Sequence, residues 1–168
     1  MFKSGQLLIW WNRRDEGRAM DLADLIEPDQ VVYAARASNK QQLLQDLASR
    51  AATLLNLDAQ TIFTALQARE ELGSTDLGNG FAHARIEGLD RLFGVFTRLN
   101  RPIYFDSIDG NPVDLVFLLL IPPAAGSKHL AALASISRYL RDKEFAARLR
   151  KAPSAAALYS LLCDRQHL

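Results

Sequence analysis

The sequence predicts a single α/β (α+β) domain, a mixed β-sheet flanked by helices on both faces. Three observations predict it. Apolar periodicity runs in the order helix, helix, strands, helices along the chain. One segment, Val113 to Ile121, is apolar everywhere except Asp114, as a central strand covered on both faces should be. The 168 residues, 49% of them apolar, suffice for one domain with a full core, and no internal repeat, low-complexity tract or interdomain linker divides them.

Each element has a local reason. Organised amphipathic sequence begins at Met20, so residues 20–168 read as the domain and residues 1–19 as a poorly ordered amino-terminal extension. That extension holds a short apolar stretch ending in Trp10-Trp11, then the charged run Asn12 to Arg18, without the small-residue cleavage site of a signal peptide. Asp21 to Ile26 is a short helical turn stopped by Pro28. Val31-Val32-Tyr33 is a short strand. Ser38 to Gln41 reads as a capping box in which Ser38 accepts from the backbone and Gln41 reaches back. The helix it opens carries Leu43, Leu44, Leu47, Ala48, Ala51, Leu54 and Leu55 on one stripe. Asp58 caps the next helix, which buries Ile62, Phe63, Leu66 and Leu72 and ends at Gly73. Phe81 to His83 is short and extended. Leu92 to Leu99 and then Ile103 to Phe105 have strand composition, and a turn at Asp109-Gly110 leads into the central strand. Ser127 opens a helix with Leu130, Leu133, Ala134, Ser137 and Leu140 on one stripe, and two more helices follow, from about Asp142 to Lys151 and from Ser154 to Asp164.

Charge and composition narrow the function. A net charge of +1 supplies no global field for nucleic acid or an anionic membrane. The longest apolar run is too short to span a bilayer, so membrane insertion is not expected. A single cysteine, Cys163, excludes an internal disulfide framework and suits a reducing cytoplasm.

The chemistry concentrates in the middle of the chain. Arg69 ends a helix, a loop with Gly73, Gly78 and Gly80 follows, and His83 opens the next segment. Closely spaced glycines let backbone amides converge without Cβ obstruction. An arginine, a histidine and such a loop are what holding a phosphoryl group requires, with the histidine as its covalent carrier; the alternative is an ordinary strand histidine. Ser74 and Thr75 either donate to the phosphoryl group or cap the loop. Arg85 shares the face of His83, as a partner contact or a surface salt bridge. Asp106, Asp109 and Asp114 lack ligand spacing, so no metal is expected, and Cys163 and His167 carry no chemistry.

The stretches Arg69-Glu70-Glu71-Leu72-Gly73-Ser74-Thr75, Leu77-Gly78-Asn79-Gly80, Asp109-Gly110-Asn111-Pro112-Val113-Asp114-Leu115-Val116-Phe117-Leu118-Leu119 and His129-Leu130-Ala131-Ala132-Leu133 occur in this order over about Met20 to Asp164. In them the chain resembles the enzyme IIA domains of the fructose–mannitol class of the bacterial phosphotransferase system, and within it the nitrogen-related branch. The resemblance implies a cytoplasmic phosphocarrier. His83 would accept a phosphoryl group from the phosphohistidine of an HPr-like donor. Arg69 would act as a charge clamp, His129 as the family's second histidine at the start of a helix, and Ser74, Thr75 and Gly80 as phosphoryl-binding positions. No metal or organic cofactor is implied. Regulatory targets such as kinases or potassium-transport proteins are, with binding set by phosphorylation state. A IIA-like binding module that takes no phosphate and the IIA subunit of a sugar permease are the alternatives. The sequence departs from the family at one place. The family has an Ile-Pro pair before its histidine, whereas here Gly80-Phe81-Ala82 runs directly into His83. Losing two residues preserves strand parity and hence the face on which His83 lies.

Overall fold

The computed structural model describes residues 20–72, 80–104 and 110–164. They form β1 (Val31–Ala35), α1 (Lys40–Leu55), α2 (Ala59–Glu71), β2 (Phe81–Arg85), β3 (Phe93–Ile103), β4 (Val113–Ile121), α3 (Lys128–Arg141), α4 (Lys143–Lys151) and α5 (Ala155–Cys163). Two 3₁₀ turns, Leu22–Asp24 and Pro28–Gln30, precede β1. Pro28 therefore does more than stop the first turn: its fixed φ opens the second.

The caps expected at Asp58 and Ser154 form, accepting from the amides of Thr61 and Ala157 at 3.0 and 3.1 Å, and Asp142, read only as the approximate start of a helix, also caps by accepting from the Phe145 amide at 3.1 Å. The box at the start of α1 is shifted by one residue. Asn39, not Ser38, is the last extended residue, with φ −158°. Its Oδ1 accepts from the Gln42 amide at 2.9 Å, and Gln42 Oε1 accepts from the Ser38 amide at 2.8 Å. Asn caps as well as Ser, so the backbone conformation decides between them. Ser127 adjoins α3 in a helical conformation and gives no side-chain cap.

The sheet has the order β1-β3-β4-β2, with β1 parallel to β3, β3 antiparallel to β4, and β4 parallel to β2. It is mixed, with β4 inside, as predicted. The two strand segments predicted around Pro102 are one long strand, β3. Its register against β4 shifts between Arg98 and Ile103, which takes the proline out of regular pairing.

Alternation along β4 builds two cores. Val116, Leu118 and Leu120 pack with α1 and α2 on one face. Leu115, Phe117, Leu119 and Ile121 pack with α3, α4, α5 and the first 3₁₀ turn on the other. Two predicted apolar faces need correction. Leu72 follows the last residue of α2 and is 82% exposed, because the helix ends before its side chain can turn inward. In α3 the buried stripe is Ala132, Ser135, Ile136 and Tyr139, which leaves Leu130 59% exposed. Ser135 is accepted in the core because its hydroxyl donates to the Met20 carbonyl.

Candidate functional site

His83 lies at the centre of β2, an edge strand, in register with Leu119 of β4. Its neighbours Ala82 and Ala84 point into the core beneath α1 and α2, whereas Phe81 points into the core beneath α3. By alternation His83 lies on the α3 side.

Gly80 sets the start of this strand. It has φ +51°, and a Cβ there would lie 2.4 Å from the Leu115 carbonyl oxygen and 3.2 Å from Val116 Cγ2. Its own carbonyl accepts from the Phe117 amide at 2.9 Å. The glycine is thus required by close approach of β2 to β4, a cause that the glycine spacing alone did not reveal. Two residues on, the Phe81 ring stacks on the His83 imidazole with 5.3 Å between centroids and 27° between planes. Sequence reasoning passed over this contact, although the i, i+2 spacing on a strand contains it.

Burial first, then the positive charge of Arg69, then His129, pull the His83 pKa down to about 4. At neutral pH the imidazole is therefore uncharged and one ring nitrogen keeps its lone pair. The same causes place three residues far apart in sequence in one electrostatic neighbourhood. Arg69 comes from the last turn of α2. His129 comes from the first turn of α3. Because β2 is an edge strand, a long side chain from α2 can act on its other face without crossing the sheet.

The His129 ring is oriented by its own loop. Its Nδ1–H donates to the Gly126 carbonyl, where Gly126 has φ +56°. A carbonyl can only accept, so the proton sits on Nδ1 and Nε2 remains for an external group. Arg85, read as a partner contact or a surface salt bridge, donates to the Pro123 carbonyl at 3.0 Å, joining the end of β2 to the loop before α3. Two exposed leucines adjoin the site in sequence, Leu72 three residues after Arg69 and Leu130 next to His129.

Ser74 and Thr75, together with Asp106, Asp109 and His167, lie outside the described residues. Asp114 is engaged by Arg150, whose Nε and Nη2 reach its carboxylate at 2.9–3.0 Å. Cys163 sits half-buried at the end of α5. None of the described helices is long and apolar enough to cross a membrane.

Residues 24–164 match the family model described as the phosphoenolpyruvate-dependent sugar phosphotransferase system, EIIA 2. A nitrogen regulatory protein of Bradyrhizobium diazoefficiens is 47% identical over 145 residues, covering 85% of this chain and 95% of that protein. A nitrogen regulatory protein of Pseudomonas aeruginosa is 40% identical, covering 87% and 97%. Among solved structures, the nitrogen regulatory protein IIA-Ntr of Neisseria meningitidis superposes with a TM-score of 0.76 at 29% identity, covering 84% of this chain and 98% of that one.

Proposed function

The chain belongs to the EIIA 2 family of the phosphotransferase system, in its nitrogen regulatory branch, and from that premise we propose that it is a regulatory phosphocarrier with His83 as the acceptor. The observation that carries this reading is a neutral, partly buried imidazole on an edge strand, under the influence of both Arg69 and His129.

In the proposed reaction the lone pair of a His83 ring nitrogen attacks the phosphorus of a phosphohistidine on an HPr-like donor protein. An N–P bond forms on His83 as the donor's N–P bond breaks, and the electron pair of the broken bond stays on the donor imidazole. Like bonds are exchanged, so the step is nearly isoergic and the protein's task is to position groups and stabilise charge. Arg69 faces the charge on the equatorial oxygens. His129, with Nδ1–H engaged by Gly126, offers Nε2 to a phosphoryl oxygen when that nitrogen is protonated. Gly80 sets the strand that presents His83, and the backbone and hydroxyls of Ser74 and Thr75 complete the phosphoryl-binding set. A new phosphohistidine adds about two negative charges at His83. Loss or gain of that charge selects between partners, among them kinases or potassium-transport proteins in the cytoplasm.

Incubating the protein with phosphoenolpyruvate and the upstream phosphotransfer proteins, followed by intact mass, tests the reading. The expected result is gain of one phosphoryl group, labile in acid and stable in base. It is lost in His83→Ala and only slowed in His129→Ala. Arg69→Ala should cost roughly 2–4 kcal/mol of transition-state stabilisation. A folded wild-type protein that stays unlabelled beside a competent donor leaves the other reading, a IIA-like binding module. The missing Ile-Pro pair before His83 is the observation that favours that reading.

A further inference from the structure

We propose a second anion site: a cleft on the β1 side of the sheet that binds a compact, multiply charged oxyanion through Arg36 and Arg101. The cleft has a volume of about 420 Å³ and is lined by Arg36, Ala37, Ser38, Gln42, Asn100 and Arg101. β1 and β2 are the two opposite edges of the sheet, so this site is separate from His83.

Two irregularities adjoin this cleft, one in the β1–β3 ladder and one in the β3–β4 ladder. β1 changes register between Val32 and Ala35, where Ala34 adopts φ +55°, two residues before Arg36. β3 changes register between Arg98 and Ile103, the interval that contains Asn100 and Arg101. A non-glycine residue in the left-handed region costs about 1–2 kcal/mol, and such strain gathers where side chains are aimed at a ligand.

The lining is one-sided in charge and in hydrogen bonding. Two arginines line the cleft and no described carboxylate does. Three arginines elsewhere in the fold are, by contrast, committed to protein partners. Arg98 donates to the carbonyls of Leu149, Arg150 and Ala152, Arg50 to that of Asp29, and Arg150 to Asp114. Arg36 and Arg101 have no ion-pair or hydrogen-bond partner among the described residues. Gln42 has its Oε1 occupied by the Ser38 amide, which leaves its NH₂ as a donor. Ser38 and Asn100 add further donors. A second cleft, of about 360 Å³ between α1 and α2, makes the contrast: it holds Glu70, Glu71 and the Lys40–Glu70 ion pair, and so has no excess positive charge. Forked guanidinium groups match phosphate and carboxylate oxygens. The volume exceeds that of one inorganic phosphate, which points to a small molecule with two or more anionic groups.

Titrating sodium pyrophosphate, and separately citrate, into the ¹⁵N-labelled full chain at constant ionic strength tests the site. Saturable amide shifts are expected at residues 36–42 and 98–103, and they should persist in His83→Ala. The double variant Arg36→Gln, Arg101→Gln should weaken binding by roughly tenfold or more, and the pair of lysine substitutions, which keep charge but lose the fork, by less. Saturation by either probe supports the site, and its preference assigns phosphate or carboxylate chemistry. Three results overturn it: no saturation by either probe, an unchanged affinity in the glutamine variant, or shifts centred on His83 and His129 that vanish in His83→Ala.

Discussion

Replacing Arg69 by glutamine should raise the pKa of His83, and by a bounded amount. The imidazole is held at about 4 against an ordinary value of 6.5, with burial the largest cause, Arg69 the next and His129 the third. Removing the second cause should therefore recover less than half of the gap. Titrating the ring C–H resonances by NMR measures both proteins directly. In the wild type His83 stays neutral from about pH 8 down to about pH 5, so phosphoryl uptake, if carried by this residue as proposed, should show no acidic limb from it across that range. Stability carries a second readout. Below 6.5 the unfolded chain takes up a proton on this histidine that the folded protein refuses until about pH 4. Folding therefore loses stability as pH falls through that window, and loses nothing above it. At pH 5 the full linkage would be about 2 kcal/mol, and solvent screening of a half-buried ring reduces it to roughly 1 kcal/mol. His83→Asn should lack this decline in urea denaturation. A wild-type His83 that titrates near its ordinary value, or one unmoved by Arg69→Gln, would refute the electrostatic argument and remove the main support for the acceptor role.

Gly80→Ala should destabilise the fold by roughly 2–4 kcal/mol in denaturant titrations, from the positive φ and the 2.4 Å approach to the Leu115 oxygen. It should also cut phosphoryl uptake, because the start of β2 shifts. Phe81→Leu should cost less than about 1.5 kcal/mol yet slow labelling and raise the His83 pKa, since the stacked ring shields the imidazole; an unchanged NMR titration would show that the stack is incidental. Asp114→Asn should cost at most about 1 kcal/mol, as its Arg150 partner is half exposed, and should leave labelling untouched. Deleting residues 1–19 should leave the melting temperature nearly unchanged, because the packing seen at Met20 and Leu22 already closes the core beneath α3; a large loss would place Trp10 and Trp11 in the fold.

Local rules acting within a few residues determined much of this protein. The caps at Asp58 and Ser154, the helices they open and β4, apolar but for Asp114, were legible, because each depends on hydrogen bonds or periodicity inside one segment. His83, Arg69 and His129 were legible as candidates through the spaced motifs around them. What needed the tertiary structure was every property set by distant parts of the chain. Leu130 looks like a core leucine by spacing, but the face of α3 that packs against the sheet is that of Ala132, Ser135, Ile136 and Tyr139, which leaves it outward. Gly80 reads as a loop glycine, whereas the Leu115 carbonyl of a strand more than thirty residues later is what excludes a side chain there. The low pKa of His83 comes from burial, then Arg69, then His129, which the fold gathers around one ring from three separate parts of the chain. Burial and electrostatics are sums over neighbours in space, and a sequence lists neighbours only along the chain.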